Sequence, residues 1–242
     1  MEESFKVYFV GAGPGDPGLL TLKGKELLEK ADIVIYAGSL VNPELLNFCK
    51  DYCEKVDSYG LKLEDIIPII ERNVKAGKKV VRLHSGDPSI YSAIMEQIIL
   101  LREKGVDVEI VPGVSSVFAA AAALGIQLTL KGVSETLIIT RPSGKTLDKD
   151  ILGELSRIDP STIAVFLGVQ KIDEVIQKLG RPPATPAAVV YHASWKDQKI
   201  IRGTVADITS KVKEAGITKS AMIIVGDVLN PPKFQRSKLY GE

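Results

Sequence analysis

The chain has 242 residues, of which 45% are hydrophobic and 25% charged, and a formal net charge of +1. That length has room for two compact halves with a sizeable core, and no apolar run reaches the roughly 18 residues a membrane span needs. A charge so near zero also removes the strongest argument for nucleic-acid binding, which needs a concentrated basic face.

The start, Met1-Glu2-Glu3-Ser4, is acidic and runs straight into a strand-like segment. A signal peptide shows a basic start and an apolar stretch instead, so a cytoplasmic setting is expected. Through the first half, apolar runs at residues 5–10, 33–36, 79–83 and 106–111 alternate with helical spacing. They predict buried parallel strands.

The first run leads into "VGAGPGDPGLLTLKG", which holds G-x-G-x-x-G at Gly13, Gly15 and Gly18. A dinucleotide fold needs backbone N–H groups at a helix start for the pyrophosphate, and an acid about 20 residues on for the ribose. Pro14 and Pro17 have no N–H to give, and the second strand ends in Ala37-Gly38-Ser39 rather than an acid. A P-loop fares no better: five residues, not four, separate Gly18 from Gly24, and Glu26 stands where magnesium would need Ser or Thr. A plain strand-to-helix turn is the remaining alternative. Dense glycine and proline around Asp16 make a rigid loop that suits a site wall better.

Cys49 and Cys53 lie four apart on what reads as one helix. Without further cysteines, and with two histidines in the chain, a four-ligand zinc site cannot be assembled. Reduced helix thiols are the preferred reading, and no metal is expected. Leu63, Ile66, Ile67, Ile70 and Val74 keep helical spacing, with Glu64 and Asp65 at the start and Gly77 past the end. Pro68 fits a helix only in its first turn. Residues 89–104 repeat the pattern through Ile90, Ile94, Ile98 and Leu101.

Short polar stretches follow the later strands: "AGSLV", "RLHSGDPSIYS" and "VPGVSS". In a parallel sheet such strand ends converge, so Ser39, Ser85, Gly86, Asp87, Ser115 and Ser116 are expected to line one pocket for a hydroxyl-rich ligand. The tract "PGVSSVFAAAAALGI" reads as a small-residue helix near a domain junction, giving expected domains at residues 1–113 and 114–242. In the second half, strands are expected at 136–140, 162–167, 187–191, 199–202 and 222–225, with helices near 148–157, 172–179 and 205–215. "YHASWKDQKIIRGT" reads as two strands joined by a turn, which makes this sheet mixed.

These stretches resemble the tetrapyrrole (corrin and porphyrin) methyltransferases, which use S-adenosylmethionine. "VGAGPGDPGLLTLKG" and "RLHSGDPSIYS" are similar to the first two family signatures. "VPGVSS", "IAVFLGV", "TPAAVVYHAS" and "SAMIIVGDV" follow in the family order to about residue 229. "ADIVIYAGSLVNPELL" and "LIITRPSGKT" are similar to the branch that methylates precorrin-4 at ring carbon 11. Relatives acting on uroporphyrinogen carry Asp-Arg-Leu-Val after the second strand, from which Ala37-Gly38-Ser39 departs.

The resemblance implies a two-domain α/β fold, with a mostly parallel N-terminal sheet, a mixed C-terminal sheet and a ligand cleft between them. Carried over, the cofactor contacts fall on Pro14, Ser85, Gly86, Asp87, Ile90, Ser115, Ser116, Leu167, Ala193 and Ala221. Asp87 also reads as a turn residue before Pro88. Methyl transfer from a sulfonium is an in-line displacement that asks the protein mainly to position its reactants. If a side chain assists, Asp16 and His84 are the candidates by location, although His84 reads equally as a packed strand-end residue.

The implied tetrapyrrole carries carboxylates, which call for charged hydrogen-bond donors. Lys23, Arg82, Arg141 and Lys145 are assigned to it together with Ser39, although each cation reads also as a solvated surface charge. The resemblance further implies S-adenosylhomocysteine as product and a homodimer. Two readings of other classes stay open: a non-catalytic sensor of S-adenosylmethionine or tetrapyrrole, and a dinucleotide oxidoreductase.

Overall fold

The computed structural model describes residues 5–144, 146–231 and 233–235. The chain divides into two compact units, residues 1–116 and 117–242, and each is built on one five-stranded sheet.

In the first unit β1 (Lys6–Gly11), β2 (Ile33–Tyr36), β3 (Glu54–Asp57), β4 (Val80–His84) and β5 (Asp107–Val111) are all parallel, in the order β3-β2-β4-β1-β5. Successive side chains point to opposite faces of a pleated strand. Val7, Phe9, Ile33, Ile35 and Val80 thereby pack in one cluster with Ile66 and Ile70 of α2 (Leu63–Lys75) and Ile98 and Leu101 of α3 (Ile94–Glu103). Val10, Val34, Val81 and Leu83 form a second cluster with Leu27 and Leu28 of α1 (Leu22–Lys30) and Leu45 of the 3-10 segment Pro43–Phe48. Cover on both faces is why the strands read as near-continuous apolar runs. β1 and β4 are neighbours, yet the helices that follow them, α1 and α3, belong to opposite clusters. The topological switch of the sheet lies between these two strands, where open α/β sheets place a ligand crevice at the carboxyl ends.

Several elements differ from the sequence-based expectation. β3 carries one half-buried apolar residue, Val56, and no apolar alternation to announce it. Pro68 sits inside α2 and not in its first turn. A proline there costs ~3 kcal/mol, but Ile66, Ile67, Ile70 and Val74 are all buried, each worth roughly 1.5–3 kcal/mol. Packing wins over the lost hydrogen bond. α3 begins at Ile94, because Tyr91 and Ala93 take positive φ values of 53° and 48° that end any helix running from Ser89. Cys49 and Cys53 do not share a helix: the first caps the Pro43–Phe48 segment and the second precedes β3. Both thiols are buried, and burial pushes Cys49 up to about 12, which keeps it protonated.

In the second unit β6 (Leu137–Thr140) runs parallel to β7 (Thr162–Val165), while β8 (Pro186–Tyr191), β9 (Lys199–Thr204) and β10 (Ala221–Val225) complete the order β6-β7-β10-β8-β9 through antiparallel pairs. Ile163, Val165, Val189 and Ile223 pack with α5 (Ile172–Leu179) and α6 (Ile208–Glu214). Ala164, Ala188, Val190 and Ile224 pack with Val117, Ala120, Ala121 and Leu124 of α4 (Ser116–Leu124), whose alanines permit close approach. The expected helix near residues 148–157 is a 3-10 segment, Leu152–Arg157. Among the described residues no helix is long and apolar enough to cross a membrane.

Candidate active site

At the carboxyl ends of β1, β4 and β5 three loops meet through glycine backbone. A Cβ on Gly11 would lie 2.6 Å from the Cα of Gly113, and one on Gly113 would lie 2.3 Å from the carbonyl oxygen of Gly86. Only glycine permits that approach. The contact is reinforced by hydrogen bonds: the Gly13 amide donates to the Gly86 carbonyl (3.2 Å), the Gly86 amide to the Gly13 carbonyl (2.9 Å), and the Ala12 amide to the His84 carbonyl (2.7 Å).

Asp87 braces the same junction. One carboxylate oxygen accepts from the Gly113 amide (2.8 Å), and the other accepts from the amide (2.8 Å) and hydroxyl of Ser89. Partial burial pushes its carboxyl up, but these bonds outweigh the burial and hold it below the usual range. Gly86 adopts a φ of 64°, and a Cβ there would meet nothing nearer than the Ser115 Cα at 3.8 Å. Gly86 thus packs at ordinary contact distance against Ser115 and Ser116, which begins α4. Backbone groups and short hydroxyls lie around this junction, a lining suited to a hydroxyl-rich ligand.

The sheet's register thus gathers Pro14 and Asp16 after β1, Ser39 after β2, Ser85, Gly86, Asp87 and Ile90 after β4, and Ser115 and Ser116 after β5. Asp16 is exposed and caps the 3-10 turn Pro17–Leu19 by accepting the Gly18 amide (2.8 Å).

Three other residues assigned from the sequence lie elsewhere. His84 is buried, its ring centroid 5.2 Å from that of Phe9, and its Nε2 has no hydrogen-bond partner among the described residues. Burial, with Arg82 nearby, lowers it to about 3, so the imidazole is neutral at pH 7. Arg82 is buried as well, and its donors turn to protein acceptors rather than to an outside carboxylate. Nη1 donates to the Ser58 hydroxyl (3.0 Å) and the Ile35 carbonyl (3.3 Å), and Nε to Gln97 Oε1 (3.4 Å). Burial brings its pKa down to about 10. Lys23 pairs with Glu109 on β5 at 2.6 Å, where Lys6 holds the second carboxylate oxygen at 3.3 Å.

The placement of Arg82 predicts a core phenotype. Arg82→Met is expected to lower stability by ~1–3 kcal/mol, because the Ser58 hydroxyl and the Ile35 carbonyl lose their donor. Affinity for an anionic ligand should not change. Denaturant titration and ligand titration of the same variant check both halves of that expectation.

In the second unit, Arg141 follows β6, Leu167 follows β7, Ala193 follows β8 and Ala221 opens β10. Since β10 is antiparallel to β7 and β8, with Val165 opposite Ile223 and Tyr191 opposite Ala221, all four lie at one end of this sheet. Arg141 donates to the Thr146 hydroxyl and carbonyl, both at 2.8 Å. Lys145 lies outside the described residues.

The same sheet end carries backbone that sequence reading passed over. Leu167, His192, Ser194 and Ser220 have φ values of 54°, 46°, 75° and 53°, each costing on the order of 1–3 kcal/mol for a residue other than glycine. Strain of that kind collects at functional sites. His192 stacks between Tyr191 and Trp195, with centroids 3.8 and 4.9 Å away, and its Nδ1 lies 3.0 Å from both Asp197 oxygens. The spacing of His192, Trp195 and Asp197 in "YHASWKD" carries that signal inside the segment that also reads as a hairpin.

Comparison with known proteins agrees with this architecture. The family model of the tetrapyrrole (corrin/porphyrin) methylases matches residues 6–209. A cobalt-precorrin-4 C(11)-methyltransferase of Methanocaldococcus jannaschii is 56% identical over 99% of this chain and 94% of its own. A solved cobalt precorrin-4 methyltransferase, a cobalamin biosynthetic enzyme, is 44% identical with a TM-score of 0.90, covering 94% of this chain and 97% of its own. A uroporphyrin-III C-methyltransferase of Thermus thermophilus, solved with S-adenosylhomocysteine, is 31% identical with a TM-score of 0.77 over 93% of this chain and 98% of its own. Glycine-packed strand ends on a parallel sheet, a mixed second sheet and a match running through most of the sequence place this chain in the family of tetrapyrrole methylases.

Proposed function

We infer that this protein transfers a methyl group from S-adenosylmethionine to ring carbon 11 of cobalt-precorrin-4, or of its metal-free form, in cobalamin biosynthesis. The observation that carries the reading is 56% identity, over nearly the whole chain, to a cobalt-precorrin-4 C(11)-methyltransferase. Bound S-adenosylmethionine supplies both the electrophilic methyl and its leaving group. What remains for the chain is to hold two partners in line at about 3–3.5 Å, a contribution that reaches several kcal/mol. A rigid, glycine-packed loop junction braced by Asp87 suits that task.

The proposed donor contacts are Pro14, Ser85, Gly86, Asp87, Ile90, Ser115 and Ser116 on the first unit, and Leu167, Ala193 and Ala221 on the second. Ser39 and Arg141 are the proposed contacts to the tetrapyrrole, together with Lys145, which follows Arg141 closely in the sequence. Asp16 stands exposed at the glycine loop and is the remaining candidate for assisting the chemistry. A buried, neutral His84 serves the interior of the sheet better than proton transfer. We place the protein in the cytoplasm as a homodimer, the latter checked by sedimentation.

The test is incubation of the purified chain with cobalt-precorrin-4 and methyl-labelled donor. One labelled methyl at carbon 11 is expected, together with calorimetric binding of S-adenosylhomocysteine. A methyl at another ring carbon would move the protein to a sister activity such as that on uroporphyrinogen-III. Less than one turnover with tight binding intact would favour a sensor.

A further inference from the structure

We propose that Asp57 and Asn42 are positioning residues that lock loop 37–42, and that the exposed tip of this loop selects the orientation of the tetrapyrrole. The inference rests on the function proposed above. Asp57 closes β3, the edge strand, and its carboxylate crosses to the loop that follows β2. Oδ1 accepts the amide of Gly38 at 2.9 Å and that of Tyr59 at 2.8 Å. These bonds, the one from Tyr59 foremost, hold the Asp57 carboxyl below the usual range.

A Cβ on Gly38 would stand 2.2 Å from Asp57 Oδ2 and 2.7 Å from its Cγ. Gly38 is not among the positive-φ glycines, so its backbone alone would accept a side chain. The carboxylate is what excludes one.

At its other end the loop is tied to the glycine-rich turn. Asn42 Nδ2 donates to the Gly15 carbonyl at 2.8 Å, and its Oδ1 accepts the Glu44 amide at 3.0 Å. Between the ties, the amides of Leu40 and Val41 both donate to the Ala37 carbonyl, at 3.0 and 3.1 Å. Beneath them, the Ser58 hydroxyl donates to the Tyr36 carbonyl at 2.9 Å. What this bracing leaves outside is Ser39 and Leu40, both exposed, the latter by half.

An exposed leucine on a loop fastened at both ends, at the carboxyl edge of the sheet and joined to the Gly15 turn, is a fixed apolar contact. It suits a flat macrocycle better than solvent. Its position relative to the Gly13–Gly86 junction then decides which ring carbon meets the methyl.

The steric relation gives a test that ordinary destabilisation does not imitate. Gly38→Ala is expected to raise KM for cobalt-precorrin-4 by ~10-fold or more, and Asp57→Ala by a similar factor, with the affinity for S-adenosylhomocysteine within ~2-fold of wild type. In the double variant the clash is gone, so the two effects should not multiply: its KM should match that of Asp57→Ala alone. Asp57→Asn keeps an acceptor oxygen and should restore KM to within ~3-fold of wild type. Asn42→Ala should raise KM and release a minor product methylated away from carbon 11.

Multiplying effects, or an unchanged KM in both single variants, would overturn the positioning role. So would a parallel loss of S-adenosylhomocysteine affinity, which would mark general damage to the unit. Wild-type turnover separates the two levels of inference. A wild-type chain that transfers no methyl sinks the proposed function and the selection with it, whereas an active wild type with unaffected variants sinks the selection only.

Discussion

Replacing Gly113 by alanine is expected to lower the melting temperature by several degrees, weaken S-adenosylhomocysteine binding by ~10-fold or more, and cut kcat/KM by ~100-fold. The new Cβ would lie 2.3 Å from the Gly86 carbonyl oxygen, 2.8 Å from the Gly11 Cα and 2.9 Å from the Gly11 carbonyl carbon. All three are backbone atoms, so no rotamer change relieves the clash. Overpacking of this kind costs ~1–3 kcal/mol, and 1 kcal/mol is worth roughly 2–4 °C in a chain of this size.

Activity should suffer more than stability. The Gly86 carbonyl that must move is the acceptor of the Gly13 amide, so the displacement passes straight into the glycine loop. Misplacement of reacting groups by ~1 Å is enough for a 100-fold loss. Gly153→Ala serves as the control, since its Cβ would meet only the Lys178 carbonyl, at 4.0 Å. If Gly113→Ala melted and bound ligand like that control, the close-packed junction would not be the structural basis of the site.

The second large effect is on stability against pH. His84 is held at about 3 in the folded protein, first by burial and then by Arg82, and returns to an ordinary value of about 6.5 on unfolding. Between those values the unfolded chain binds a proton that the folded chain refuses. Stability from this residue is therefore complete above pH 6.5 and drains away as pH falls towards 3, by at most about 1.4 kcal/mol per unit. Carboxylates add their own acid limb, so the comparison must be with a variant. His84→Phe keeps an aromatic ring beside Phe9 and should flatten the decline between pH 6.5 and 4 in denaturant titrations. Parallel curves for the two proteins would mean that the imidazole is accessible to protons in the native state.

Much of the first unit was legible because its strands are buried on both faces, which leaves unbroken apolar runs such as Ile33–Tyr36. α5 was equally plain, with Ile172, Val175, Ile176 and Leu179 on one buried face. β3 was invisible for the complementary reason: an edge strand reading Glu-Lys-Val-Asp is held by pairing with β2 and carries no apolar pattern. The start of α3 escapes periodicity because Tyr91 and Ala93 adopt left-handed backbone, which an apolar pattern does not register.

For the candidate site, glycine spacing and strand-end position located the loops, and the resemblance carried by those loops proposed their ligand. Charge alone does not say where a long side chain goes. Arg82 and Lys23 both read as cations for an acidic substrate, and the fold turns the first inward to Ser58 and sets the second beside Glu109. His192 was passed over because its partners only become neighbours when a left-handed bend follows β8.

Properties set by near neighbours in the chain, such as which face of a strand is apolar, where a turn must fall and which loops are stiff, could be read from the letters alone. Contacts between distant positions could not. That Gly113 must lack a side chain because of Gly11 and Gly86, or Gly38 because of Asp57, follows only once parallel pairing has brought those residues together, since steric exclusion acts through space and leaves no periodic trace along the chain.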